Sequence, residues 1–364
     1  MEELHKADDV IDIPENDIAV FNHGLVLKEL LTDQTRKQLL TRDNPNADAF
    51  IYWATSDYES YGQGYGAHDE ILPELITGKD RGKIIMPRVL KEKHQQNARS
   101  KDKAEVFTPS WVCNTQNNLV DDAWFGYSGA FNEEMIDADG NHTWIPTSKV
   151  DFSRCNRKWQ EYVKDIRMEI TCGEAPYLAS RYDTTTGQFI PVNKRIGLLD
   201  RKLRVVGENA KDRDEWLKYA TFAFRSIYGY EWQGDNLLLA RESLLLTFID
   251  YHTDRFGDSS SIHANTLMNI AHIISWNIWQ MDGIKYVIPE TCHDEEVLST
   301  GSLFDTEEVI ETRPCEGCRT GNNNLHNGIY PLIRDWNVFD DYHEDKYGRK
   351  GKDRCDTPFN KLVK

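Results

Sequence analysis

The sequence predicts an α/β protein, and three stretches carry that expectation. Arg167 to Ile170 reads as a strand running into a turn at Cys172-Gly173-Glu174-Ala175. Ser226 to Tyr230 reads as a second strand, and a periodic helix from Asn236 to Tyr251 follows it. Met268 to Trp279 is largely apolar and reads as a buried helix or a helix-to-strand passage. Strands alternating with helical patterns mark parallel-sheet units.

The other elements follow in chain order. Residues 1–20 are polar and acidic, a loose lead-in. Leu25, Leu27, Leu30, Leu31, Leu39 and Leu40 recur at helical spacing and predict a helix over 21–41. Phe50 to Ala54 and Lys83 to Pro87 have the composition of short strands, with a Tyr/Gly-rich loop from Tyr58 to His68 between them. Pro109 to Ala123 is a predicted helix. Pro109 sits in its first turn, where no amide hydrogen is needed, and Thr108 is the N-cap. Residues 126–158 carry loop signals, notably Asp137-Ala138-Asp139-Gly140-Asn141. Pro176 to Ser180 is expected to start a helix, and Tyr182 to Val192 a hairpin around Thr185-Thr186-Gly187. Asp214 to Arg225 is helical by periodicity. Beyond Ile288 the chain is polar and loop-like, and its charged tail from Asp340 to Lys364 is expected to be poorly ordered. The organisation predicted is an accessory segment over 1–100, a core over 101–288, and a loop-rich, Cys-containing region over 289–364.

Composition narrows the classes. A 39% hydrophobic chain with 11% aromatic residues has the material for a packed core and excludes wholesale disorder. No apolar run reaches the roughly 18–20 residues of a membrane span, and Met1-Glu2-Glu3-Leu4-His5-Lys6 lacks an apolar signal core. A cytoplasmic protein is expected. Seven Cys, an odd number, do not suggest a disulfide framework. The net charge of -17 opposes a stand-alone nucleic-acid binder, which usually presents Lys and Arg to phosphates. Basic clusters at Arg81-Gly82-Lys83, Arg88 to Lys103 and Arg195 to Arg204 read first as solvated surface.

Three groups of residues could carry chemistry. Gly173 permits a tight turn after a strand, where doubly wound sheets bind ligands, although an ordinary turn has the same look. Glu231 ends the second strand, where an acid can hold ribose hydroxyls or simply cap the next helix. Cys315 and Cys318 have the spacing to share one tetrahedral Zn²⁺, with His326 third and Cys292 or His293 fourth. Free thiols and redox chemistry are the alternatives there. His68-Asp69-Glu70 reads as a turn.

Together these stretches resemble the gamma-class adenine-N6 DNA methyltransferases, in particular the modification (M) subunits of restriction-modification systems. Phe107, Thr108 and Pro109 match that family's Phe-Thr-Pro, which lies against the methionine part of S-adenosylmethionine. Its Asp-Pro-Ala-Cys-Gly-Thr-Gly-Gly-Phe-Leu loop aligns without gaps on Glu169 to Leu178, with Cys172 and Gly173 matching. Glu231 matches the ribose-binding acid and Asp282 the adenine-edge acid. The resemblance covers roughly residues 95–285 and implies a Rossmann-like S-adenosylmethionine-dependent methyltransferase core acting on DNA.

Two departures bear on activity. Ala175 and Pro176 replace two glycines of the loop. The Asn/Asp-Pro-Pro-Tyr/Phe tetrapeptide that holds the target base is missing, since the chain contains no Pro-Pro pair. No catalytic residue is assigned; Asp335-Trp336-Asn337 offers an acid and a ring but no Pro. The expectation is a cofactor-binding component that needs a partner subunit for target recognition and the catalytic loop. The alternative is a degenerate, non-catalytic DNA- or protein-binding module with a zinc-stapled C-terminal region.

Overall fold

A three-stranded sheet with helices on the connections carries Glu169 and Glu231 at the ends of its strands. In the computed structural model, residues 18, 21–78, 84–91, 108–257, 259, 261–298, 309–337 and 355–363 are described. The helices are α1 (Leu25–Leu31), α2 (Gln34–Leu40), α3 (Pro73–Ile76), α4 (Ser110–Phe125), α5 (Trp159–Lys164), α6 (Leu198–Asn209), α7 (Arg213–Arg225), α8 (Gly234–Phe256), α9 (Ala264–Asn277) and α10 (Glu316–Thr320). The strands are β1 (Asn132–Ile136), β2 (His142–Pro146), β3 (Arg167–Glu169), β4 (Ile227–Glu231), β5 (Ile278–Gln280), β6 (Glu295–Leu298), β7 (Val309–Arg313), β8 (Leu332–Arg334) and β9 (Asp356–Pro358). The central sheet has the order β3-β4-β5, and β3 runs parallel to β4. Mixed helix and parallel sheet is the α/β class expected. Among the described residues no helix is long and apolar enough to cross a membrane.

The chain forms two compact units. The first comprises Met1–Leu31, Leu72–Gly229 and Asp235–Ile278. Its core is built from the inward faces of α6 to α9, including Leu199, Leu203, Trp216, Phe224, Leu245, Phe248 and Ile270. The predicted strand-helix-strand order holds here, with α8 and α9 longer or earlier than the periodicity indicated.

The same unit corrects several expectations. The segment after Gly173 does not start a helix at Pro176; it continues in turns, and the next α-helix is α6. The carbonyls of Tyr177 and Leu178 accept the amides of Leu198 and Leu199 at 2.8 and 2.9 Å rather than helical partners, and Gly197, the residue before α6, packs against them. Its amide donates to the buried Asp200 carboxylate at 3.1 Å, and a Cβ there would lie 2.4 Å from the Leu178 carbonyl. Tyr182 and Phe189 form a single antiparallel bridge around the predicted Thr185-Thr186-Gly187 turn, not a full hairpin. Residues 126–158, expected to be loop, contain the β1-β2 hairpin, with Asp137 Oδ1 accepting the Asp139 and Asn141 amides in its turn.

The largest correction concerns charge. Arg195 to Arg204 is not a solvated face. Arg201 and Lys202 are buried. Arg201 pairs with Asp121 at 2.5 Å and donates to Asn114 and Asn118 at 2.9 and 2.8 Å. Lys202 Nζ donates to the carbonyls of Tyr162 and Val163, to that of Asp165, and to Ser226 Oγ. Burial, then the nearby Arg167 charge, drive its pKa down, yet this all-acceptor shell is one that an ammonium satisfies. Arg195 Nη2 meets Asp250 at 2.7 Å. The amphipathic spacing of α6 turned its cations inward because carboxylates and carbonyls meet them there.

The second unit comprises Thr32–Ile71, Tyr230–Gly234 and Trp279–Lys364. The helix predicted over 21–41 is broken into α1 and α2, because Asp33 adopts an extended conformation and caps α2 through the Arg36 amide. Phe50 to Ala54 makes isolated bridges rather than a strand, Thr32 with Phe50 and Tyr52 with Glu70. Gln280 holds this segment: it receives the Tyr52 amide at 2.9 Å and donates to the Tyr52 and Trp232 carbonyls at 2.8 Å each. Part of the expected loose tail is ordered. Asp356–Pro358 pairs with Leu332–Arg334, and Arg334 grips Asp356 through two bonds of 2.8 and 2.9 Å.

Candidate metal centre and strand-end residues

Two loops and one short helix converge in the second unit on three thiols and an imidazole. Cys315 is the N-cap of α10, and its Sγ accepts the Cys318 amide at 3.4 Å. This local turn aims both Cys side chains the same way. The β6-β7 hairpin lies between Cys292 and Cys315 in sequence and brings the chain back. Asn327 fastens the Cys292 loop, accepting the His293 amide at 3.2 Å and donating to the His293 carbonyl at 2.8 Å. Thr291 adds a second tie, with its Oγ1 accepting the Ile329 amide at 3.0 Å.

The four donor atoms lie within 4.8 Å of one another. Cys292 Sγ is 3.4 Å from Cys315 Sγ, 3.8 Å from Cys318 Sγ and 3.6 Å from His326 Nδ1. The His326 nitrogen is 3.5 Å from Cys315 Sγ and 3.7 Å from Cys318 Sγ. A tetrahedral site with Zn–S bonds of about 2.3 Å and Zn–N bonds of about 2.0–2.1 Å has edges of about 3.5–3.8 Å. The cluster could hold a metal ion with these four residues as ligands. Of the two candidates for the fourth position the structure selects Cys292; His293 Nδ1 instead lies 3.3 Å from the Thr291 carbonyl.

Gly317 is the residue that makes this approach possible. A Cβ at that position would lie 2.6 Å from His326 Cγ and Nδ1. Burial raises the Cys315 thiol, but the amides of Cys318 and Asn327 and the Cys292 and His326 side chains outweigh it and bring it down to about 6. Burial and the two neighbouring thiols push Cys292 up to about 12. One anion is thus favoured in the cluster and further anions repel, the situation that a divalent cation relieves.

The residues singled out for a cofactor are distributed over both units. In the first, Glu169 ends β3, nearly buried, with Oε1 3.5 Å from the Tyr177 amide. Cys172 is buried against Gly229, where a Cβ would stand 3.5 Å from its sulfur. Gly173 has φ 53°, in the left-handed region that glycine adopts freely. Ala175 has φ 59° and carries a side-chain methyl there. Phe107 lies outside the described residues. Thr108 is not an N-cap: its carbonyl accepts Thr184 Oγ1 at 3.2 Å, and Pro109 itself occupies the cap position of α4. Burial, then the Glu169 charge, push the nearby Cys113 thiol up to about 12, leaving a neutral apolar wall.

In the second unit, Glu231 ends β4 and accepts the Gln233 amide at 3.3 Å. Asp282 is buried, and its Oδ1 accepts the amides of Ile284 and Lys285 at 2.8 and 3.0 Å. That oxygen therefore shapes the turn after β5. Trp336 is buried, which removes its ring from service as a stacking platform. His68-Asp69-Glu70 is a turn: Glu70 pairs with Arg36 and His68 with Glu290, each at 2.6 Å.

Two residues escaped sequence reading. Glu174 is buried inside the loop and receives the Arg88 amide at 2.7 Å and the Tyr182 hydroxyl at 2.6 Å. Nothing in a lone Glu beside a Gly announces this. Asp183 supplies the cap that α4 lacks locally, accepting the Ser110 amide at 2.7 Å.

Searches against known proteins add no relative. No family model matches the chain, and no curated protein or solved structure matches it significantly.

Proposed function

We propose that the chain is the S-adenosylmethionine-binding component of a DNA adenine-N6 methyltransferase of the restriction-modification type, with a Rossmann-like core and a zinc-stapled C-terminal region. One observation carries this reading: β3 and β4 are adjacent and parallel, and β3 ends in a buried Glu that the Cys172-Gly173 turn follows. Open α/β sheets bind ligands outside the carboxyl ends of such strands. The resemblance gives each residue a task. Glu231 would hold the ribose hydroxyls, Gly173 would let the loop backbone approach the cofactor, and Asp282 would meet the adenine edge. Thr108 and Pro109, with Phe107, would wall the methionine end. The cofactor supplies the reactive methyl carbon, and the protein supplies orientation. Cys292, Cys315, Cys318 and His326 would hold Zn²⁺ with all four positions filled by protein, the pattern of a structural rather than a catalytic site.

The donor set fits zinc closely. The loop fits the cofactor in part, because Gly173 frees the backbone while Ala175 and the buried Glu174 carboxylate fill space that family members leave to glycine and threonine. Those two residues favour a second reading, a degenerate methyltransferase fold used as a binding module with the same zinc staple.

Calorimetry with S-adenosylmethionine and with its demethylated product separates the two. Binding is expected, and Glu231→Ala should weaken it by about 1.5–3 kcal/mol, the scale of a charged hydrogen-bond partner. Glu231→Gln, which keeps the volume of a buried side chain, guards against a folding artefact. Absence of both heat and thermal shift at millimolar cofactor would leave the degenerate module.

A further inference from the structure

Contacts within the protein, and not only a shared cation, hold the sulfurs of the Cys292, Cys315, Cys318 and His326 cluster together. On one side Asn327 and Thr291 fasten the Cys292 loop, and a Cβ on Gly328 would lie 3.0 Å from the Cys292 amide nitrogen. On the other side the Gly317 amide donates to the Leu325 carbonyl at 2.9 Å, and the Tyr330 hydroxyl accepts the His326 amide at 3.0 Å. None of these bonds uses a sulfur or the His326 ring. The thiols therefore stay near one another with or without a cation among them. Cys292 Sγ lies 3.8 Å from Cys318 Sγ, so these two need to approach by about 1.8 Å to reach the disulfide length of about 2.0 Å.

Access singles out the same pair. Of the seven cysteines Cys318 is the exposed one, Cys292 is half-buried and Cys315 is buried. A small oxidant arriving from solvent meets Cys318 first. Cys315 lies closer to Cys292, at 3.4 Å, but its burial shields it and its sulfur caps α10 by accepting the Cys318 amide. Cys292 sits on a loop outside helix and strand, where a side chain can shift without breaking a ladder.

We propose that Cys318 and Cys292 close a reversible disulfide under peroxide, and that closing it releases the metal. The proposal rests on the zinc-staple reading above and adds its regulation. Sulfurs that share a divalent cation are thiolates, the form that attacks peroxide. The Cys318 thiolate attacks one peroxide oxygen; the O–O bond breaks, hydroxide leaves, and Cys318 becomes a sulfenic acid. The Cys292 thiolate then attacks the Cys318 sulfur. The S–S bond forms, the S–O bond breaks, and a second hydroxide leaves. Two thiolates have given up two electrons, and two protons from solvent turn the two hydroxides into water. Cys315 and His326 are left, two of the four donors, too few for a closed tetrahedral site. A thiol reductant reverses the bond by exchange. The Asn327, Thr291 and Tyr330 ties do not depend on either sulfur, so the site can fill again.

The test adds hydrogen peroxide to the zinc-loaded 364-residue chain. Released zinc is followed with a chromogenic chelator, and the cysteines are mapped by peptide mass spectrometry. Bound zinc is expected to fall from one equivalent to below about a tenth, with a Cys292–Cys318 disulfide as the new species. Dithiothreitol and added zinc should restore full occupancy. Cys155→Ser, which removes a thiol outside the cluster, should release zinc as the parent does. Cys318→Ser also removes a ligand, so it is compared with the parent in the metal-free state, where the parent should form the disulfide and the variant should not. Zinc retained in excess peroxide would overturn the proposal. So would a disulfide that includes Cys315, or a sulfinic acid at Cys318 that dithiothreitol leaves in place. Zinc content before peroxide separates this proposal from the reading it rests on. A chain that never holds zinc sinks the staple, and mapping the same chain after peroxide still decides the thiol pair. Zinc that is bound and stays bound sinks the switch alone.

Discussion

One methyl group at position 317 decides whether the imidazole can join the thiols. With a Cβ 2.6 Å from the His326 ring, Gly317→Ala must displace either α10 or the histidine. Zinc bound by purified protein is therefore expected to fall from one equivalent to well below one, as measured by elemental analysis, with Cys315→Ser as the reference for a lost ligand. Full occupancy in Gly317→Ala would show that His326 is not a ligand. Asp183 is the second residue whose role is local and testable. It caps α4 across the chain, so Asp183→Ala should cost about 1 kcal/mol in a denaturant titration, the usual worth of an N-cap. Burial raises this carboxyl, but the Thr185 hydroxyl and the Ser110 amide outweigh it and hold it below its ordinary value of 3.8. A depressed folded pKa contributes stability that is fully present above the unfolded value and lost as pH falls through the folded one. The stability gap between the parent and Asp183→Ala should thus be constant near neutrality and close only below about pH 4, and a gap that closes at pH 6 would assign it to another group.

At the scale of elements, the Cys292, Cys315, Cys318 and His326 cluster joins segments that backbone and side-chain hydrogen bonds also hold. Ile288 donates to the Ile329 carbonyl at 2.8 Å, and Asp282 donates to the Val287 carbonyl at 2.8 Å. The turn carrying Asp282 therefore leads straight into the Cys292 loop. Tyr286 and Glu290 in this stretch have φ of 63° and 65°, conformations that cost side-chain-bearing residues energy and persist only when surroundings enforce them. Chelation of zinc should raise hydrogen exchange across 284–292 and 315–329 while leaving α6 and α7 protected. Uniform exchange with and without metal would make the staple dispensable. The sequence announced these elements unevenly. Long periodic helices such as α7 and α8 were legible because a 3.6-residue pattern repeats enough times to exceed noise. The strand ends at Glu169 and Glu231 were legible from their acids and turns. The Asp33 break between α1 and α2 was not, because the leucine spacing continues across it. Nor was the β1-β2 hairpin, whose residues are mostly exposed and lack apolar alternation. Cys-x2-Cys pointed to the metal cluster, but the choice of Cys292 over His293 depends on loop ties that only three dimensions supply.

For the molecule as a whole, the decisive quantity is where the charges lie. A run of basic residues in sequence is ambiguous between surface and interior, and here α6 uses it inside. Arg201→Met should destabilise by about 3–5 kcal/mol, because it leaves the buried Asp121 with only the Tyr162 hydroxyl and the more distant Arg167, 3.7 Å away, and takes the donor from Asn114 and Asn118. A loss below about 1 kcal/mol in urea unfolding would mean that the pair is hydrated. The same burial predicts behaviour toward DNA. Phosphate contacts supply most non-specific affinity, typically with Kd of about 10⁻⁴–10⁻⁶ M for proteins that present cations. A chain at -17 whose Arg195 to Arg204 cations face carboxylates and carbonyls has little left to offer phosphates from that run. The isolated chain is therefore expected to bind duplex DNA more weakly than about 10⁻⁴ M at physiological salt. It should also transfer no methyl group to DNA, even when it binds cofactor. The chemical reason is separate from the electrostatic one. A flipped adenine costs a few kcal/mol of stacking, which pocket contacts must offset, and the amine must be held in line with the methyl carbon. Without a Pro-Pro loop, and with Trp336 buried, no assigned residue does this. Turnover by the 364-residue chain alone on unmodified DNA would show that a second positioning device exists within it, and would remove the need for a partner.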